Sequence, residues 1–384
     1  MHSFRAQHVP ALDGLRGVAI LLVITHHQLI PLSLNAGFLG VDLFFVLSGF
    51  LITSLLLREF NATNSISLKN FYARRVLRLA PALLIYLAVT LVVTYLLHPD
   101  LFTQQLRLVG WSLAYLTNWR MALGWDSSLD PTAIIWSLSI EEQFYLLWPP
   151  ILVLACSLKI KRTEIAIALA LLIVGIAVHR STLLSSGSDL NRMYYGTDTR
   201  ADAPLVGCLF ALISSWRFSA RLRATLNLGA VLSAGVLVYL IATSTFTDHF
   251  LYRGGYTLVA CATGLFIWSI DDSPTNIFAK VLSWYPLRWF GLISYGLYLW
   301  HWLLLRTVSF FWLAGSLDVW VRCLAAISVA ALSFYFVERQ FIKLKTQFSY
   351  SHPRLKLTEA YASHDDSGTL VSPFVSQTLI QPTE

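Results

Sequence analysis

The sequence predicts an all-α protein: a polytopic membrane helical bundle of about ten transmembrane helices, with N- and C-termini cytoplasmic. Three observations carry this. Hydrophobic residues make up 56% of the 384 positions and charged ones 13%, whereas a soluble chain uses roughly a quarter charged residues to cover its surface. The mean hydropathy is +0.62. Apolar runs of about 20 residues, the length a helix needs to cross hydrocarbon, recur along the whole chain. Secreted, disordered, fibrous and ordinary cytosolic classes are excluded together.

Taken in order, the runs fall near 12–32, 38–57, 79–97, 132–156, 163–183, 201–216, 224–243, 254–270, 289–312 and 317–337. The first follows a short polar N-terminus, 1–11, and has no small-residue cleavage site, so it reads as a retained span rather than a signal peptide. The stretch 101–123 mixes Leu106, Trp111 and Leu116 with Arg107, Asn118 and Arg120. Counted as a span it would put Lys159, Lys161 and Arg162 outside; read as an outer interfacial or re-entrant segment it leaves them inside. The positive-inside rule selects the second reading. Arg58, Lys69, Arg74, Arg75 and Arg78 then share one inner loop, Arg217, Arg221 and Arg223 another, and Arg339, Lys343 and Lys345 follow the last span. The outer connections are poorer in base: 33–37 has none and 244–253 only Arg253. Trp and Tyr near the span ends, Trp111, Trp119 and Trp148 among them, are interfacial anchors. From about 346 to 384 the chain is polar and rich in Ser, Thr and Pro, which reads as a disordered cytoplasmic tail too short for a second enzymatic domain.

The net charge of +7 is explained by these basic loops and not by nucleic-acid binding. Cys156, Cys208, Cys261 and Cys323 lie in or beside apolar runs with no CxxC or Cys/His spacing, so neither a disulfide framework nor a metal site is expected. No nucleophile elbow, Walker loop or dinucleotide fingerprint occurs.

Ionisable residues inside the spans are expensive and therefore mark candidate sites. The first span carries Asp13, Arg16, His26 and His27. Arg16 and His27, eleven residues apart, lie on nearly one face about 16 Å apart along the axis, with His26 about 100° away. The second carries Asp42 and Ser48 in a Gly- and Phe-rich stretch that also suits helix packing. Arg74, Arg75 and Arg78 at the mouth of the third span serve topology, phosphate recognition, or both. Glu141 and Glu142 in the fourth are about 100° apart, so at least one faces the polar interior. Asp198, Thr199, Arg200 and Asp202 form a possible local ion-pair network at the outer end of the sixth. Ser294, Tyr298 and His301 share a face of the ninth at i, i+4 and i+7.

These segments closely resemble the acyltransferase-3 family of polytopic membrane O-acyltransferases. The motifs are Leu12-Asp13-Gly14-Leu15-Arg16 with ten residues before His27, Gly40-Val41-Asp42-Leu43-Phe44-Phe45, and Ser48-Gly49-Phe50-Leu51-Ile52. Further on come Phe71 to Arg78, Trp136-Ser137-Leu138-Ser139-Ile140-Glu141, Asp198-Thr199-Arg200-Ala201-Asp202 and Ile293 to His301, so the likeness covers roughly 8–345. Glu338-Arg339-Gln340 departs from the family's usual Glu-Arg-Pro ending, and the esterase-like domain that many relatives carry has no room in the tail.

The resemblance implies transfer of an acyl group, usually acetyl, from acyl-CoA to a hydroxyl of a cell-envelope or exported saccharide, in the cytoplasmic membrane. No tightly bound cofactor is expected, acyl-CoA being a substrate; the partners are the saccharide or lipid-linked saccharide and membrane lipid. It implies His27 as base with Glu141 as orienting or proton-relaying partner, a covalent acyl-His27 being the variant mechanism. Arg16, Arg74, Arg75 and Arg78 would bind the donor. Asp13, Asp42, Ser48, Asp198, Arg200, Asp202, Tyr298 and His301 would line the acceptor side or support it. A macrolide or other small-molecule acceptor is the alternative within this chemistry, and a transporter or flippase using the same buried charges is the competing class.

Overall fold

The computed structural model describes residues 9–27, 36–125, 130–216, 218–307 and 316–348. Most of the tail expected from 346 onward therefore lies outside the described residues, as do 1–8 of the N-terminal segment. Sixteen α-helices and no strand occur among the described residues. They are α1 (Pro10–His27), α2 (Gly40–Thr63), α3 (Leu68–Leu97), α4 (Phe102–Leu113), α5 (Thr117–Ala122), α6 (Trp136–Ser157), α7 (Arg162–Ser185) and α8 (Leu190–Tyr195). There follow α9 (Thr197–Arg200), α10 (Asp202–Ile213), α11 (Ala220–Thr243), α12 (Tyr256–Asp272), α13 (Ile277–Leu282), α14 (Tyr285–Thr307), α15 (Ser316–Ser333) and α16 (Arg339–Leu344).

This is a membrane helical protein. Five stretches, 37–63, 68–97, 162–185, 220–243 and 318–344, are long and apolar enough to cross a bilayer by length and composition. Helix α7 shows the pattern expected of a lipid-facing span. It buries Ala166, Leu169, Ile173 and Arg180 and presents Ile167, Leu171, Leu172, Val174 and Val178 outward, apolar on both sides because lipid is the solvent. The segment 101–123 is broken at Tyr115, whose φ is 52°, into the twelve residues of α4 and the six of α5. Twelve helical residues extend about 18 Å, well short of the roughly 30 Å hydrocarbon core.

Bare backbone seams decide how the helices sit. A Cβ on Gly17 would stand 2.0 Å from the Leu287 carbonyl oxygen, and one on Gly291 1.8 Å from that of Asp13, so α1 and α14 touch main chain to main chain. Gly14 meets Leu282 in the same way. Gly17 and Gly291 stand level, and His27 and His301, ten residues further along each helix, meet at 3.0 Å, so the two helices run parallel. Helices α2 and α10 form a second parallel seam, with Gly49 against Pro204 and Gly207 against Val46. Helix α2 runs antiparallel to α1, with Gly40 against Ala19 and Val23, and Gly37 against Leu22 and His26. Without a hydrophobic force between helices in lipid, such close approach supplies the packing.

Prolines inside helices are compensated locally. Pro150 has no N–H to give to Leu146, four residues earlier, and the Tyr72 hydroxyl donates to that carbonyl at 3.1 Å. The α2–α3 turn is stitched by Glu59: its carboxylate accepts from the Ser67 backbone N–H at 2.8 Å and from Arg74 Nη2 at 3.2 Å.

The seams predict unequal glycine substitutions. Gly291→Ala should lower stability by about 1–3 kcal/mol or block accumulation, because backbone must move. Gly175→Ala, on an α7 surface with nothing within 4 Å of the new Cβ, should be neutral or stabilising by up to about 1 kcal/mol. Thermal unfolding of the two detergent-solubilised variants checks the difference.

Candidate active site

The seams sort the polar residues of the bundle by height. Ser48 lies eight residues beyond Gly40 on the antiparallel helix, about 12 Å back toward the N-terminal end of α1. It therefore stands level with Arg16, and His27 stands about 16 Å further along.

At the Arg16 level, Ser48 Oγ donates to Glu141 Oε1 at 3.0 Å. The Tyr145 hydroxyl lies 3.0 Å from Glu141 Oε2 and 2.9 Å from Ser48 Oγ. The guanidinium of Arg75 covers the Tyr145 ring at 4.4 Å. Arg16 is within electrostatic reach of Asp13, Glu141, Tyr145 and Arg75, and Arg78 is repelled by Arg16 and Arg75. Glu338, carried inward on the π-helical turn 334–338, faces Arg78 and Arg16. None of Arg16, Arg75 and Arg78 forms an ion pair among the described residues, so three cations gather with carboxylates acting on them only through space. Arg74, expected beside them, is instead buried and bound to Glu59 and to the Phe348 carbonyl. It points 100° away from Arg75 and holds the helix ends.

At the His27 level, His27 Nδ1 meets His301 Nε2 at 3.0 Å, the two rings edge to edge and within 21° of coplanar. His301 Nδ1 is 2.8 Å from the Leu297 carbonyl, and the edge of Trp302 lies against the His27 ring at 5.0 Å. His26 turns toward Phe38, at 5.4 Å. Glu141, expected beside His27, is bound one level lower to Ser48 and Tyr145, and the structure brings the His301 ring to His27 instead. Tyr298 donates to the Ile134 carbonyl at 3.0 Å and shares a 2.6 Å contact with Ser137, while Trp302 donates to the Asp130 carbonyl at 3.2 Å. With the Tyr86 hydroxyl on the Pro131 carbonyl at 2.6 Å, these side chains clip the entry to α6 onto α14 and α3.

The motif at 198–202 is not one local network; it splits three ways. Arg200, fully buried, grips both oxygens of buried Asp42 at 2.9 and 3.0 Å. The rings of Tyr256 and Tyr194 face its guanidinium at 3.9 and 5.0 Å. Asp42 is therefore a partnered interior carboxylate and not a hydrated one. Asp202 takes Arg180 at 2.9 Å, and Arg180 also donates to the carbonyls of Thr199 and Tyr252 and to Thr257. Asp198 is half-exposed and joins Arg192 in a bidentate pair, 2.9 and 2.7 Å, with His179 at 3.0 Å. Burial works against its charge, but the hydrogen bonds from Arg192 and His179 outweigh it and hold its carboxyl below the ordinary carboxylate range.

Several members of these clusters escape a sequence reading. Arg180 is an arginine inside an apolar run, the signal that marks other intramembrane charges. Tyr145 and Trp302 carry no such signal, being indistinguishable from anchors until the helices are placed. Gln143, Asn118 and Thr197 form a small polar knot, with Asn118 Nδ2 on Thr197 Oγ1 at 2.9 Å and Thr197 on Gln143 at 2.5 Å, which ties α5 to α6 and α9.

A family model described as an acyltransferase domain matches residues 9–338. A Bacillus subtilis (strain 168) protein is 36% identical over 348 residues, 87% of this chain and 55% of its own length. The peptidoglycan O-acetyltransferase of Listeria monocytogenes is 34% identical over 354 residues, 87% of this chain and 56% of that protein. An O-acetyltransferase of Staphylococcus aureus (strain NCTC 8325 / PS 47) is 35% identical over 354 residues, 87% of this chain and 57% of its own. The chain thus spans little more than half the length of these relatives. No solved structure matches.

The Asp42–Arg200 pair predicts a sign reversal on double substitution. Asp42→Ala alone strands a buried guanidinium and should cost about 3–5 kcal/mol, whereas Asp42→Ala with Arg200→Met should recover much of that loss. Melting temperatures of the single and double variants in one detergent check it.

Proposed function

Because the chain belongs to the acyltransferase-3 family, we propose that it is a membrane O-acyltransferase. In this reading it moves an acyl group, an acetyl, from acyl-CoA to a hydroxyl of a cell-envelope saccharide. The observation that carries the donor half is the gathering of Arg16, Arg75 and Arg78 without an ion-pair partner among the described residues. Like charges held together in a bundle are unfavourable until an anion joins them, and guanidinium groups match phosphate oxygens. With the phosphates there, a pantetheine arm equal in length to about five extended residues reaches roughly 16–18 Å. That spans the distance of about 16 Å from Arg16 to His27. The acceptor half is supported by the three relatives, all of which carry the name O-acetyltransferase and two of them that of a peptidoglycan O-acetyltransferase.

The chemistry needs little beyond a base and a place for the oxyanion, since a thioester is already activated. His27 takes the acceptor hydroxyl proton as that oxygen attacks the thioester carbon. The carbon–sulfur bond breaks, and the proton passes to the leaving thiolate. Asp42, Arg200, Asp202 and Arg180 frame the acceptor side as satisfied ion pairs. Ser48, Glu141 and Tyr145 form a polar layer beside the donor arginines, below the histidine.

Ten spans with a cytoplasmic N-terminus agree with the parallel seams, since α1 with α14, and α2 with α10, are then spans of the same direction. A reporter fused at Lys161 should be active on the cytoplasmic side, and activity only outside overturns that topology.

The activity is tested by supplying labelled acetyl-CoA to native membranes and by mass spectrometry of envelope glycans from deletion and complemented strains. Glycan acetylation should follow the protein. At matched membrane levels, His27→Ala should lower the rate about 10²–10⁴-fold while His26→Phe keeps most of it. Arg75→Gln with Arg78→Gln should weaken acetyl-CoA use more than acceptor use. Acetylation that is unaffected by deletion, or that needs a transmembrane ion gradient, favours the transporter reading.

A further inference from the structure

Resting on the reading of His27 as the base, we propose that His301 is a positioning residue that fixes the tautomer of His27, leaving Nε2 as its proton-accepting nitrogen. The argument runs from one unambiguous acceptor. The Leu297 carbonyl can only accept, so His301 Nδ1, 2.8 Å away, carries a hydrogen and donates it. His301 is fully buried. Its polar neighbours are the backbone carbonyls of Leu297 and Tyr298, the His27 ring, and the Tyr298 ring, whose centroid lies 5.9 Å from its own. Without a carboxylate among these neighbours, a buried imidazole is neutral. With its hydrogen on Nδ1, a neutral His301 has its lone pair on Nε2.

The contact of 3.0 Å between His301 Nε2 and His27 Nδ1 therefore has one direction: His27 Nδ1–H donates and His301 accepts. An imidazole that donates from Nδ1 has its basic lone pair on Nε2. The same bond strengthens as His27 takes a proton, because a cationic donor makes the stronger hydrogen bond. The order is carbonyl, neutral imidazole, catalytic imidazole, with a backbone oxygen at its root where a carboxylate stands in serine-protease triads. Trp302 packs against the His27 ring at 5.0 Å, its own N–H anchored on the Asp130 carbonyl.

Two amides of different length separate this role from packing. Gln at 301 places its amide oxygen near the former Nε2 and can accept from His27. Asn places its amide near the former Nδ1, reaching Leu297 but not His27. Leu removes both bonds. Initial rates of acetyl transfer in native membranes, with acetyl-CoA varied, should show kcat lowered about 10²–10⁴-fold in His301→Leu and His301→Asn. KM for acetyl-CoA should stay within about threefold, because ground-state binding is untouched. His301→Gln should remain within about tenfold of the parent kcat. His27→Ala is run alongside. If it retains the parent rate, the base assignment fails and this inference with it. If His27→Ala is inactive but His301→Asn matches or exceeds His301→Gln, the tautomer role alone is overturned. The Gln and Asn variants decide the matter even where His301→Leu fails to accumulate.

Discussion

The backbone seam between α1 and α14 sets the height at which every polar group of the first span meets its neighbours. With Gly17 and Gly291 allowing main chain to touch main chain, the parallel helices cannot slide without forcing a side chain into the contact. His27 and His301, each ten residues beyond these glycines, arrive at the same level as a direct consequence. The antiparallel α2 then fixes Ser48, and through it Glu141, at the height of Arg16. The two polar levels are products of helix register and not of attraction between the charged groups themselves.

Within that register the arginines divide into two populations. Arg74, Arg180 and Arg200 are buried and saturated by carboxylates and carbonyls, as a low-dielectric interior demands. Arg16, Arg75 and Arg78 are half-buried and lack an ion pair among the described residues. The first population holds helices together. The second stores unfavourable repulsion that an incoming polyanion can relieve. The division runs between adjacent residues of one motif, Arg74 and Arg75, because a step of one position turns a side chain about 100° around the helix.

Composition made the membrane helical class legible, and charge asymmetry was the ground for reading 101–123 as an interfacial or re-entrant segment; the structure breaks that stretch at Tyr115 into two short helices. The motifs also named most residues that the structure gathers: Arg16, Arg75, Arg78, Ser48 and Glu141 at one level, His27 and His301 at the other. What the sequence could not supply was pairing. Whether Glu141 stands beside His27 depends on the relative heights of α1, α2 and α6, which periodicity within one helix does not encode. The four charged and polar residues at 198–202 look like a local network because they are neighbours in sequence. On short helical turns they diverge to three separate partners. Arg180 was readable in principle but is one cation in a long apolar run, and its partner Asp202 sits far along the chain.

The tyrosine on the carbonyl that Pro150 leaves open ties two positions that are distant in sequence into one evolutionary unit. Tyr72 is on the helix that carries Arg75 and Arg78, and Leu146 is one turn beyond Glu141 and Glu142 on α6. A homologue that replaces Pro150 restores the helix's own donor and releases the phenol from its duty. One that loses the hydroxyl while keeping the proline leaves that carbonyl without either donor, an unmet hydrogen bond that costs on the order of 1 kcal/mol or more. Substitutions at 72 and 150 should therefore travel in pairs across lineages, and their order of appearance should be asymmetric, the proline going first.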